Sequence, residues 1–178
     1  ILLAFYVVCM TGMLHADVRM PAIFADNMLL QRGKPIPVYG HASVAEQVFV
    51  EFGGQRKAAT TDEAGHWRVV LDSLAESSAP QELRITGRNE VLIRNVLVGD
   101  LWLASGQSNM EMGLGGVNSA AAEEKAARYD GIRFFMVPRD LSSSPRSETA
   151  GKWQVCNPKN ASAFSAVARS AACFCASV

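Results

Sequence analysis

Gln47-Val48-Phe49-Val50-Glu51-Phe52-Gly53-Gly54-Gln55-Arg56-Lys57-Ala58-Ala59-Thr60-Thr61 decides the fold of the first half of the chain. Side chains of a strand alternate between its two faces, so Val48, Val50 and Phe52 share one face and Phe49 and Glu51 the other. Gly53-Gly54 supplies the positive backbone angles of a tight hairpin turn, and 55–61 returns as the partner strand. On either side of this hairpin, from Asp17 to Asn95, short apolar stretches alternate with turn chemistry at Asp26-Asn27, Arg32-Gly33-Lys34-Pro35 and Glu63-Ala64-Gly65-His66. Segments 66–71 and 82–85 read as further strands, with a polar small-residue loop over 75–80. The prolines of Lys34-Pro35-Ile36-Pro37 place an edge strand or irregular entry there, because proline donates nothing to a sheet ladder. Residues 17–96 are therefore expected to form a small antiparallel β-sandwich.

Beyond it the character changes. Val91-Leu92-Ile93 and Val96-Leu97-Val98 are apolar, and Gly99-Asp100-Leu101-Trp102-Leu103-Ala104 runs directly into Ser105-Gly106-Gln107-Ser108-Asn109-Met110. That pattern predicts a buried strand feeding a tight loop. Alanine and charged helix formers over 120–129 predict a helix, with Asn118 or Ser119 to cap its start and Gly131 just past its end. Segment 132–137 predicts another strand, and the order strand, helix, strand is that of a parallel α/β layer. The expected fold class is thus α+β with two domains: the sandwich over 17–96, then the opening of an α/β domain over 97–178. Within the latter, 141–151, with Ser142-Ser143-Ser144 and Pro145, predicts a surface loop.

Seventeen basic residues balance 17 acidic ones in 178, and neither sign collects into a run, so the charge stripe of a nucleic-acid binder is missing. A hydrophobic content of 49% supports a buried core rather than disorder. Cys9, Cys156, Cys173 and Cys175 form no CxxC pair, which supports neither a zinc site nor a disulfide framework. Residues 1–14, ILLAFYVVCMTGML, are uncharged and fall short of the roughly 18 to 20 apolar residues that span a bilayer. With Ala16 as the small residue at a cleavage point, 1–16 reads as part of an export signal whose basic start lies upstream. The expected location is periplasmic, secreted or lysosomal, with no membrane attachment after cleavage.

A serine attacks a carbonyl when its hydroxyl is exposed, a base takes its proton and donors stabilise the oxyanion. In Gly106-Gln107-Ser108-Asn109 the glycine lets backbone approach the reacting centre, the Ser108 amide is a candidate oxyanion donor, and Gln107 and Asn109 add polar side chains. By composition alone the same tetrapeptide is an ordinary polar turn. Asp100, closing the preceding strand, reads as structural rather than as a member of a triad.

Val98-Gly99-Asp100-Leu101-Trp102-Leu103-Ala104-Ser105-Gly106-Gln107-Ser108-Asn109-Met110-Glu111-Met112 resembles the nucleophile segment of the sialate O-acetylesterase family, carbohydrate esterases of the SGNH-hydrolase type. Ile23-Phe24-Ala25-Asp26-Asn27-Met28-Leu29-Leu30-Gln31 and Val38-Tyr39-Gly40 resemble that family's leading β-domain, and Gly151-Lys152-Trp153 and Phe164-Ser165-Ala166-Val167-Ala168 also fit. The resemblance covers roughly residues 18–168. It implies an SGNH-type α/β domain, Ser108 as nucleophile, and Gly106, Gln107 and Asn109 as oxyanion or site-shaping residues. It further implies an O-acetylated sialic acid, or another acetylated glycan, as substrate, with no metal or organic cofactor.

The family places its acid and histidine late in the chain, and no Asp-x-x-His segment follows Ser108. The histidines are His15, His41 and His66, all upstream; His15 falls within the export segment, and the other two read as solvated or satisfied residues of the β-domain. After Ala168 the family pattern gives way to Arg169-Ser170-Ala171-Ala172-Cys173-Phe174-Cys175, the mark expected of a frameshifted or truncated product. We therefore expect an esterase fragment that is inactive by itself. Deacetylation of another polysaccharide, such as xylan, is the alternative substrate reading. A non-catalytic carbohydrate-binding β-sandwich, with Phe49, Tyr39 and Trp67 as the available aromatics, is the alternative class, although core roles suit all three.

Overall fold

The computed structural model describes residues 17–175; the expected export segment 1–16 and its cleavage point lie outside them. Seven strands come first: β1 Leu29–Gln31, β2 Ile36–His41, β3 Gln47–Phe52, β4 Gln55–Thr60, β5 His66–Leu71, β6 Ser77–Thr86 and β7 Glu90–Gly99. They form a five-stranded sheet in the order β1-β7-β6-β3-β4 and a two-stranded sheet of β2 and β5.

The hairpin stands where the sequence places it. β3 and β4 pair antiparallel from Gln47↔Thr60 to Phe52↔Gln55, and Gly53 and Gly54 turn the chain at φ 57° and 76°. Val48, Val50 and Phe52 point into the core, while Phe49 lies half-buried beneath the Arg56 guanidinium, 4.2 Å from its ring centroid. From the other sheet Ile36, Val38, Trp67, Val69 and Leu71 close onto the same core. Each such aliphatic side chain contributes about 1.5–3 kcal/mol when taken out of water. Among the described strands β2, with Pro37 facing outward, pairs with β5 alone, as suits a strand that carries a proline.

In this half of the chain and at its exit, four expectations change. The larger sheet is mixed, because β1 runs parallel to β7 with Leu29↔Leu97, Leu30↔Val98 and Gln31↔Gly99. Strands so far apart in sequence carry no hairpin to force them antiparallel. Second, most of the expected 75–80 loop belongs to β6, which pairs Ser77 with Val98 and Gln81 with Val96 through register shifts. The shifts hide the strand by breaking the two-residue period, and most of the side chains there are exposed. Third, 91–93 and 96–98 fuse into β7, with Asn95 at φ 57° between them, so the strand runs through the position where a second domain was expected to begin. Fourth, regular pairing stops at Gly99: Leu101, Trp102 and Leu103, expected to continue a buried strand, are 49%, 68% and 93% exposed. No described strand lies alongside them.

The remaining elements are α1 Ser108–Glu111, α2 Ala120–Ala126, β8 Tyr129–Phe135, β9 Trp153–Cys156 and α3 Ala166–Cys175, with short 3-10 turns at Leu114–Gly116 and Ala161–Ala163. α2 stops short of 129, Ser119 precedes it at φ 67° without a side-chain cap, and Gly131 lies inside β8. β8 pairs antiparallel with β9, so the expected parallel layer does not form among the described residues. With no strand beside it to follow, β8 closes onto β9 across the exposed loop that contains the expected 141–151 segment. The Trp153 indole Nε1 donates to the Ile23 carbonyl at 2.7 Å, and Phe135 and Trp153, 5.3 Å apart, join the main core. A second apolar cluster gathers Leu114, Ala127, Ile132, Phe134, Cys156, Ala161 and Ala166, with Phe164 stacked on Phe134 at 4.0 Å.

Candidate active site

β7 ends at Gly99, and the chain then crosses the surface to α1, whose first residue is Ser108. Gln107 stands at the N-cap in extended geometry, φ −106° and ψ −158°, and its carbonyl accepts from the Met110 amide at 2.9 Å. Gly106, Gln107, Ser108 and Asn109 are all exposed. A Cβ at Gly106 would sit 3.3 Å from the Met110 Cβ, so the glycine answers to close packing rather than to a left-handed backbone. The four residues thus form one accessible turn, with the Ser108 hydroxyl at the start of a helix. Among the described residues no side chain hydrogen-bonds to Ser108.

Asp100 is engaged elsewhere. Arg32 grips it through Nε at 3.0 Å and Nη2 at 2.8 Å, and also reaches Glu76. The hydrogen bond from Arg32 is the main cause that holds the Asp100 carboxyl below the usual carboxylate range; burial opposes it, and the Arg32 charge and the Gln31 hydrogen bond add to the lowering. Beside this pair, Gln31 Oε1 accepts from the Leu101 amide at 2.9 Å. Asp100 therefore anchors the exit of β7, the structural role read from its position.

His41 and His66 face each other across β2 and β5, with ring centroids 4.7 Å apart. His41 Nε2 lies 3.0 Å from Glu148 Oε1, and His66 Nδ1 lies 3.8 Å from Asp62 Oδ2. His41 and Glu148 line a cleft together with Asp17, Arg19, Met20 and Gly65. Of the aromatics weighed as a sugar platform, Trp67 is 3% exposed and Phe49 lies half-buried under Arg56, whereas Tyr39 stays 37% exposed with its ring 5.1 Å from Phe24 in an edge-to-face contact. Among the described residues no three His, Cys, Asp or Glu side chains converge as a metal site, and no helix is long and apolar enough to cross a membrane.

Sequence reasoning missed what supports α1 from below. Gly113 and Ser165 form an isolated antiparallel bridge, which brings the Met110-Glu111-Met112 and Phe164–Ala168 stretches of the family pattern into contact. Both stretches stood out as matches, but their separation along the chain carries no period that could have joined them.

No protein-family model matches the chain. Sialate O-acetylesterase of Mus musculus is 32% identical over 130 residues, which are 65% of this chain and 24% of that protein. The Rattus norvegicus sialate O-acetylesterase is 39% identical over 77 residues, 40% of this chain and 14% of that protein. A carbohydrate acetylesterase from Xanthomonas citri, solved by crystallography, superposes with a TM-score of 0.83 at 37% identity, over 85% of this chain and 35% of its own. The chain spans about a quarter or less of the length of the curated relatives it matches. Its fold is similar to that of the matched part of the Xanthomonas citri carbohydrate acetylesterase. Over the matched residues the chain is similar to the sialate O-acetylesterase family.

Proposed function

We propose that this chain carries the nucleophile of a serine acetylesterase that removes O-acetyl groups from sialic acids. The observation that carries the reading is the exposed turn 106–109, which opens α1 with the hydroxyl of Ser108 directly after a strand exit anchored by Arg32 and Asp100. Ser108 Oγ attacks the acetyl carbonyl, the sugar oxygen leaves with a proton, and water then cleaves the acetyl-Ser108 ester to release acetate. The Ser108 amide and the closely packed backbone at Gly106 begin the oxyanion hole, and Gln107 and Asn109 shape its rim.

Among the described residues no histidine hydrogen-bonds to Ser108, and in this proposal the proton acceptor comes from outside residues 17–175. The same proposal assigns residues 97–178 to the opening of an SGNH-type α/β domain and 1–16 to export. The Xanthomonas citri relative, named for carbohydrate rather than sialate esters, favours a second substrate reading, an acetylated polysaccharide.

Hydrolysis of 9-O-acetylated sialic acid and of acetylated xylan, compared in a protein that continues these residues to the length of the relatives, separates the two. Faster turnover of the sialate ester supports the first reading, and faster turnover of xylan replaces it with the second.

A further inference from the structure

A helix of four residues has no cooperative stability of its own, so the geometry of α1 is imposed by what it touches. Its support comes from a segment far along the chain. The Ala166 amide donates to the Met112 carbonyl at 3.0 Å and the Leu114 amide to the Phe164 carbonyl at 3.3 Å, on either side of the Gly113↔Ser165 bridge. Only glycine fits this seam at 113, because a Cβ there would lie 2.6 Å from the Ser162 carbonyl oxygen, a backbone atom. The Ser165 hydroxyl works in both directions: it donates to Met110 Sδ at 3.4 Å and accepts from the Ala168 amide at 3.2 Å, capping the first turn of α3. Met110 in turn packs over Gly106 and donates its amide to Gln107. One side chain therefore links the seam to both residues that precede Ser108.

We infer that Gly113 and Ser165 are positioning residues for Ser108, acting through Met110 to fix where its hydroxyl and amide stand. This inference rests on the reading of Ser108 as nucleophile. Displacing a reacting group by an ångström can lower a rate by about a hundredfold, and such precision comes from groups that lock their neighbours in place.

Amide exchange at Met110 and Leu114, read against Val69 of β5, tests the seam in the chain as it stands. Gly113→Ala is expected to speed exchange at both by about tenfold while Val69 is unchanged. Ser165→Ala is expected to speed Met110, and Ser165→Thr, which keeps the hydroxyl, to restore it. Unchanged exchange at Met110 and Leu114 in Gly113→Ala overturns the inference. In a longer protein that turns over an acetyl ester, Gly113→Ala lowers kcat by about tenfold or more with KM held within about twofold. A loss confined to KM overturns it as well. Turnover that survives Ser108→Ala, with the exchange effects intact, removes the nucleophile assignment and leaves the seam as a packing contact only.

Discussion

Arg32, one residue beyond β1, holds Asp100, one residue beyond β7, through two nearly parallel hydrogen bonds, extending the parallel pairing of the strands by a side-chain clasp. Both side chains are substantially exposed, and isolated surface ion pairs contribute little; a bidentate pair inside a network that includes Glu76 and Gln31 is the exception. The Asp100 carboxyl is held below its ordinary value, so its stabilising contribution is present above the unfolded carboxylate pKa of about 3.9 and is lost as pH falls through the lower folded value. Arg32→Met is expected to raise the Asp100 titration midpoint toward that of a free aspartate, as read by NMR of its carboxyl carbon. An unmoved midpoint contradicts the clasp.

The two glycines of the β3–β4 turn are not equivalent. Gly53, at φ 57°, has the Leu74 side chain 2.7 Å from where a Cβ would stand, whereas Gly54, at φ 76°, opens to free space. Gly53→Ala is expected to destabilise the fold by about 1–2 kcal/mol or more, the left-handed penalty plus the contact. Gly54→Asn is expected to stay within about 0.5 kcal/mol. Urea melts of the two variants check the order, and equal losses would contradict it.

Glu46 is a buried carboxylate whose partners are backbone amides: Oε1 accepts from Arg88 at 2.7 Å and Oε2 from Ser43 at 3.1 Å. Thr61 closes the same knot by donating its hydroxyl to the Glu46 carbonyl at 2.8 Å. Glu46→Ala strands both amides and is expected to cost about 2 kcal/mol, seen as a lower urea midpoint at unchanged slope. A loss below about 0.5 kcal/mol would show that water replaces the carboxylate freely.

Much of the first half was legible because its signals are local. Gly53-Gly54 and the alternation of Val48, Val50 and Phe52 specify a hairpin without reference to the rest of the chain. The parallel partnership of β1 with β7 was hidden, since nothing in three residues names a strand so distant. Leu101, Trp102 and Leu103 were read as buried because they are apolar; burial also needs a neighbour, and no described strand covers them. Ser108 was visible through its family pattern rather than through composition. The seam at Gly113 and Ser165 is a contact between distant segments, and such contacts leave no periodicity to find.

The account turns on Ser108. The most direct measurement is hydrolysis of a simple acetyl ester by this 178-residue chain and by a longer protein that continues it to the length of its relatives, each beside its Ser108→Ala variant. The account predicts turnover by the longer protein, a fall of at least about a thousandfold on Ser108→Ala, and no Ser108-dependent turnover by the shorter chain. Turnover by the longer protein that survives Ser108→Ala would contradict the nucleophile assignment, and Ser108-dependent turnover by the shorter chain would return the role of base to His41 or His66.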